Sequence, residues 1–123
     1  MKFKRDLVKY VRDKAKSQYK KGSECFICGK TDNLDFHHYN GLTELLEAWI
    51  RTNNITIENE QDILEIREQF IGENYEEVYD KTVTLCHQHH LRLHSIYGKR
   101  PKLHTAEKQA RWVEKQRSKH GMV

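Results

Sequence analysis

Residues 82–94 read TVTLCHQHHLRLH. Thr82 to Leu85 predict a short strand, and residues 87–97 predict a helix rich in histidine. On that helix His90 and His94 stand four residues apart and share one face. Cys86 and His89 repeat the spacing of an earlier knuckle, Cys25-Phe26-Ile27-Cys28-Gly29, within residues 24–30. A C-x-x-C turn aims two thiolates at one point, which is half of a tetrahedral zinc site. The second pair completes it. The expected zinc ligands are Cys25, Cys28, Cys86 and His89, with His87 and His90 as rivals for the fourth place. A redox pair would sit at a helix start after a strand, whereas this knuckle is a turn that precedes one. The remaining alternative is three unrelated buried thiols.

Working back along the chain, residues 33–37 alternate Leu34 and Phe36 with polar neighbours. They predict a strand that ends in His37-His38. One histidine from that strand with His90 and His94 makes a three-nitrogen metal site with open positions, as a catalytic ion requires. The other histidine of the pair is left to act as a base, a role that neutral imidazole suits near pH 7. Singly, each histidine reads as a surface or core residue; jointly, they read as a site.

The flanks are helical and strongly charged. Residues 1–22 carry nine Lys/Arg and two Asp, and residues 81–123 carry ten Lys/Arg and two Glu. Residues 42–80 carry eleven acids and two Arg. Basic ends suggest a polyanion partner, nucleic acid above all. Two plainer readings are solvated lysine faces and an acidic middle that packs on the basic ends. Residues 3–20 predict an amphipathic helix with Leu7, Val11 and Ala15 on its stripe and Val8 and Tyr19 beside it, ended by Gly22. Residues 42–52 place Leu42, Leu45, Leu46, Trp49 and Ile50 at helical spacing. Residues 60–72 predict a helix capped by Asn59, with Ile63, Ile66, Phe70 and Ile71 inward. Residues 105–118 predict a last helix capped by Thr105, with Ala106, Ala110 and Val113 inward, after a basic hinge at residues 99–102.

With 123 residues, 37% apolar and 33% charged, one small domain with a thin core is expected, of the kind that a metal supplements. No apolar run is long enough for a membrane span. The charged start shows no secretory signal, and three cysteines suit metal ligation in a reducing, cytoplasmic compartment.

In order and spacing, C-x-x-C-G, L-D-F-H-H and V-T-L-C-x-x-H-H-x-x-x-H resemble the HNH endonucleases of the ββα-metal (His-Me finger) class. The match covers residues 25–41 and 82–98, and the acidic insert is similar to that of some phage-encoded members. The resemblance implies an α+β fold with a ββα-metal core. A basic N-terminal helix (1–22) and a basic C-terminal helix (99–123) would flank the zinc-stabilised segment 23–98, with its insert at 42–80. It implies a metal-dependent DNA endonuclease acting in a bacterial or phage-infected cell. His38 matches the general base, and His37, His90 and His94 match ligands of the catalytic ion. That ion would be Mg²⁺ or Mn²⁺, with Zn²⁺, Ni²⁺ or Co²⁺ also suited to an all-histidine set. Cys25, Cys28 and Cys86 match structural zinc ligands, and His89 stands where the family usually has a fourth cysteine. The family's middle Asn has no counterpart before L-C; Asp80 is the candidate replacement and Asn40 the second choice. Arg92, Lys99, Arg100 and Lys102 are candidate phosphate contacts. A homodimer or a basic partner on the acidic insert would fit the charge pattern. The competing functions are a zinc-containing nucleic-acid-binding module without catalysis and a structural zinc protein with a basic partner.

Overall fold

The strands form as two short runs whose partners lie far apart in the chain. Strand β1 (Leu34–His38) pairs antiparallel with β2 (Thr82–Cys86), with Leu34 opposite Cys86 and His38 opposite Thr82. Strand β1 ends at His38 as expected, and β2 runs one residue beyond its expected end at Leu85. A computed structural model describes the backbone of residues 5–121 and the side chains of residues 8–121. Leu7, expected on the first apolar stripe, and the outermost residues of the segments 1–22 and 99–123 lie outside the described side chains. The described residues form an α+β structure, a two-stranded sheet with five α-helices. No helix among them is long and apolar enough to cross a membrane.

Helix α1 (Arg5–Lys16) is shorter than expected. It ends four residues before Lys20, where the Gln18 and Tyr19 amides turn back onto the carbonyls of Ala15 and Lys16. Gly22 therefore does not end it. The Gly22 amide donates to Thr84 Oγ1 at 2.8 Å, and a Cβ there would sit 3.4 Å from that hydroxyl.

Between the strands lie α2 (Leu42–Thr52), α3 (Glu60–Glu73) and a π-helical turn (Glu76–Asp80) that the sequence did not announce. Asn59 caps α3 as expected, its side chain accepting from the Asp62 amide at 3.1 Å. These helices share a core with α1, built from Val8, Val11, Ala15, Leu46, Trp49, Ile63 and Phe70. So the acidic insert does pack on the basic first helix. Lys14 pairs with Glu68 at 3.0 Å, and Arg67 donates to the Tyr10 carbonyl. An exposed ion pair contributes little, so apolar burial holds the two together. Phe70 is fully buried, edge-on to Trp49 with ring centroids 5.4 Å apart. Phe70→Ala is expected to cost about 3–5 kcal/mol in urea unfolding, through lost transfer energy and the cavity left behind. A loss below 1 kcal/mol would show that this core is not packed as described.

A second, smaller core gathers Cys25, Ile27, Val83, Leu85, Cys86, Leu93 and Val113. It joins the knuckle, β2, α4 (His87–Tyr97) and α5 (Ala106–Lys119). Thr105 does not cap α5 with its side chain. Its hydroxyl donates to the Lys102 carbonyl, and a short 3₁₀ turn (Leu103–Thr105) starts the helix instead. The inward face of α5 also differs from expectation. Ala106 and Ala110 are only partly buried, and Gln109 is buried beside Val113.

Candidate metal centres and the cleft between them

The knuckle and the start of α4 converge at one point. Cys25, Cys28, Cys86 and His89 each turn one ligand atom into a cluster spanning at most 4.8 Å. Cys28 Sγ lies 3.9 Å from Cys86 Sγ, and Cys86 Sγ lies 3.2 Å from His89 Nδ1. Zinc with Zn–S bonds of about 2.3 Å holds two sulfurs about 3.8 Å apart in a tetrahedron, so the donor set fits that ion. Burial works against ionising Cys25. The amides of Cys86, Cys28 and Ile27 point at its sulfur and outweigh that effect, holding the thiol below its ordinary pKa. The shift favours the thiolate form that a metal needs. His89 is the histidine brought to the thiols. Its rival His87 is exposed and donates to Asp35 Oδ2 at 3.0 Å. His90 belongs to a second cluster.

That second cluster unites β1 and α4. His37 Nδ1 lies 3.1 Å from His90 Nε2, which lies 3.0 Å from His94 Nε2. Strand alternation turns Asp35 and His37 to the α4 side, and helical spacing stacks His90 over His94. On each ring the other nitrogen meets an acceptor. His37 Nε2 donates to Gln109 Oε1 at 2.8 Å. His90 Nδ1 donates to Asp35 Oδ2 at 3.0 Å, and His94 Nδ1 donates to the Gly98 carbonyl at 2.7 Å. With those protons placed, the three nitrogens that face one another carry lone pairs. Ligands held about 2.1 Å from an ion at right angles are about 3.0 Å apart, so the His37–His90 and His90–His94 separations both suit neighbouring ligands of an octahedral divalent ion. Burial pushes the His37 pKa down to about 4, with nearby His90 and His94 adding to the shift. The ring is therefore neutral at pH 7, as a ligand must be. Burial would raise the Asp35 carboxyl, yet the hydrogen bonds from His87 and His90 hold it below the usual range. It stays an anion, able to orient His90.

His38 turns to the opposite face of the strand from His37. Its ring lies 5.2 Å from Phe36 and 5.0 Å from Tyr19, both edge-on. Its Nε2 is buried and has no hydrogen-bond partner among the described residues. Burial pushes its pKa down to about 4, while a hydrogen bond to the Val78 backbone acts the other way. The candidate orienting residues behave otherwise than expected. Asp80 is exposed and makes no side-chain hydrogen bond among the described residues. The Asn40 Oδ1 is buried with no hydrogen-bond partner among the described residues. The π-helical turn supplies a main-chain contact at Val78 instead, and the Tyr39 amide donates to the Lys81 carbonyl at 3.1 Å. Only main-chain geometry shows this, so no residue type in the sequence could have signalled it.

The profile of the nicking endonuclease family matches residues 1–122. The chain belongs to that family. It is a phage-related nuclease that acts on DNA. No solved structure matches the chain.

In this endonuclease a cleft of about 850 Å³ opens beside the histidines, lined in part by Arg12, His37, His38, His94, Lys99 and Arg100. Glu44 and Glu47 line it too. Arg100 does not project freely. Its Nε donates to Glu44 Oε2 at 2.7 Å, and its Nη2 lies 3.8 Å from Glu47. Arg92, Lys99 and Lys102 are exposed. A phosphate that reached Arg100 would have to compete with Glu44 for it. Glu44→Gln is expected to tighten DNA binding several-fold in fluorescence anisotropy at 50 mM salt, with the gain shrinking at 200 mM. Unchanged or weaker binding at low salt would remove Arg100 from the DNA contact.

Proposed function

We propose that this endonuclease is an HNH-type, ββα-metal enzyme that nicks one strand of DNA, with β1, β2 and α4 as its catalytic unit. The carrying observation is the histidine trio, whose lone pairs converge while every opposite nitrogen is tied to an acceptor. His37, His90 and His94 would hold Mg²⁺ or Mn²⁺, and Cys25, Cys28, Cys86 and His89 a structural zinc. When bound, the catalytic ion supplies Lewis-acid stabilisation of the charged transition state and the leaving oxygen. His38 Nε2 accepts a proton from water, whose oxygen bonds to phosphorus as the bond to the 3′ oxygen breaks. The 3′ oxygen takes a proton from solvent water, so the products are a 5′-phosphate and a 3′-hydroxyl. The Val78 backbone, in the place of the family's Asn, orients that ring. Arg12, Lys99 and Arg100 line the approach and suit the phosphates on either side, positioning DNA without reading its sequence.

One catalytic unit cuts one strand, which agrees with nicking and requires no second copy. The thiol ligands suit the reducing cytoplasm of a phage-infected cell. The terminal helices and the insert then belong to a single domain over residues 1–123. The acids of the insert are partly engaged within the chain, through Glu68 and Glu44, which weakens the case for a basic partner there.

A second reading, a DNA-binding module without catalysis, draws on one observation: His38 Nε2 is shut off from solvent. A supercoiled-plasmid assay separates the two. The zinc-loaded protein, given Mg²⁺ or Mn²⁺, is expected to yield open circles that a ligase reseals directly. DNA bound but uncut with every divalent ion would establish the second reading.

A further inference from the structure

Gln109 lies on α5, outside the strand–strand–helix unit and distant in sequence from every motif described above. It is fully buried, unusual for so polar a side chain. Its amide nitrogen donates to the Tyr39 carbonyl at 3.2 Å and to Thr105 Oγ1 at 3.0 Å. A carbonyl can only accept, so this pair fixes which end of the amide is which. The amide oxygen must then face His37 Nε2, 2.8 Å away. An oxygen with no proton to give demands one from the ring. His37 is thereby held with its proton on Nε2 and its Nδ1 lone pair turned toward His90 and His94.

We propose that Gln109 is the positioning residue that selects the His37 tautomer and aims its Nδ1 into the histidine trio. Through it the C-terminal helix becomes part of the metal centre. The role rests on the metal reading of that trio given above. His90 is oriented by Asp35 of β1 and His94 by the Gly98 carbonyl at the end of its own helix, both within the strand–strand–helix unit. His37 is oriented by Gln109, from a helix outside that unit. The plainer role for Gln109 is to satisfy the Tyr39 carbonyl and pack against Val113. Two variants distinguish these roles. Gln109→Leu removes both acceptor and donor. Gln109→Glu keeps an acceptor for His37 and loses the donor to Tyr39.

The test uses the full, zinc-loaded chain and two readouts besides cleavage. Long-range ¹H–¹⁵N spectra report the His37 tautomer without added ion, and calorimetric titration reports Mn²⁺ affinity. The wild type is expected to show the Nε2-protonated form. Gln109→Leu is expected to lose that preference and bind Mn²⁺ about 10- to 100-fold more weakly. Gln109→Glu is expected to keep both the tautomer and the affinity. If the Leu variant does not fold, Gln109→Asn withdraws the carbonyl by one methylene and is expected to show the same losses. A Leu or Asn variant with wild-type tautomer and affinity overturns the role of Gln109 while the metal reading stands. So does a Glu variant as impaired as the Leu variant, since the Tyr39 contact would then be what matters. A wild-type protein that takes up no second ion overturns the metal reading, and this role with it.

Discussion

His38→Ala is expected to lower plasmid nicking by about 10²- to 10⁴-fold, the usual contribution of a positioned general base. DNA affinity is expected to stay within about two-fold, because His38 contributes no charge at neutral pH. Its pKa, pushed down to about 4 by burial, leaves the ring unprotonated at neutral pH. Its Nε2 is buried with no partner among the described residues, so the assay decides whether water reaches it. The substitution removes a ring packed against Tyr19 and Phe36, so a folding check by circular dichroism accompanies the assay. Folded His38→Ala protein that nicks at the wild-type rate would remove His38 from the base role. His37→Ala makes a useful contrast, since it is expected to lose both cleavage and Mn²⁺ binding.

Removing zinc is expected to unfold one half of the molecule and spare the other. The second core is small, and Cys25 and Cys86, two of its buried members, are themselves proposed ligands. Apparent zinc-binding energies in small zinc modules are about 10–16 kcal/mol, as large as the whole stability of a typical domain. Without the ion, the thiols and His89 are left as close-set polar groups in an apolar site. The first core rests on α1, α2 and α3 and uses none of these ligands. The two tryptophans divide between the halves. Trp49 is buried in the first core, and Trp112 packs against the second. Chelation is expected to shift the Trp112 emission of Trp49→Phe protein to the red. It should leave the Trp49 emission of Trp112→Phe protein nearly unchanged. Red shifts in both would show that the two cores melt as one unit, and a shift in neither would remove the structural role of the ion.

Much of the half that carries the two candidate metal centres was legible in one dimension because its signals are local. Two-residue knuckle spacing, a four-residue histidine interval and strand alternation follow from the covalent geometry of turns, helices and strands. So Cys25, Cys28, Cys86 and His89 could be grouped, with His87 and His90 as rivals, and one histidine of the His37-His38 pair set with His90 and His94; the resemblance to the HNH family is what named His37. The helices of the insert were legible for the same reason, through apolar residues at helical spacing and the Asn59 cap. The end of α1 was not. Polar residues 17–20 are compatible with helix or turn, and the close approach of Gly22 to Thr84 draws the chain off the helical path.

The sequence by itself determined the donor sets, the strand–strand–helix order around them and the charge blocks along the chain. Each depends only on residue type and spacing. Tertiary structure alone decided which groups orient those donors. Gln109 is 72 residues from His37, Val78 meets His38 through its main chain, and Glu44 holds Arg100 from 56 residues away. Such contacts join elements through packing, and neither a main-chain carbonyl nor a buried amide leaves a mark in the pattern of residue types.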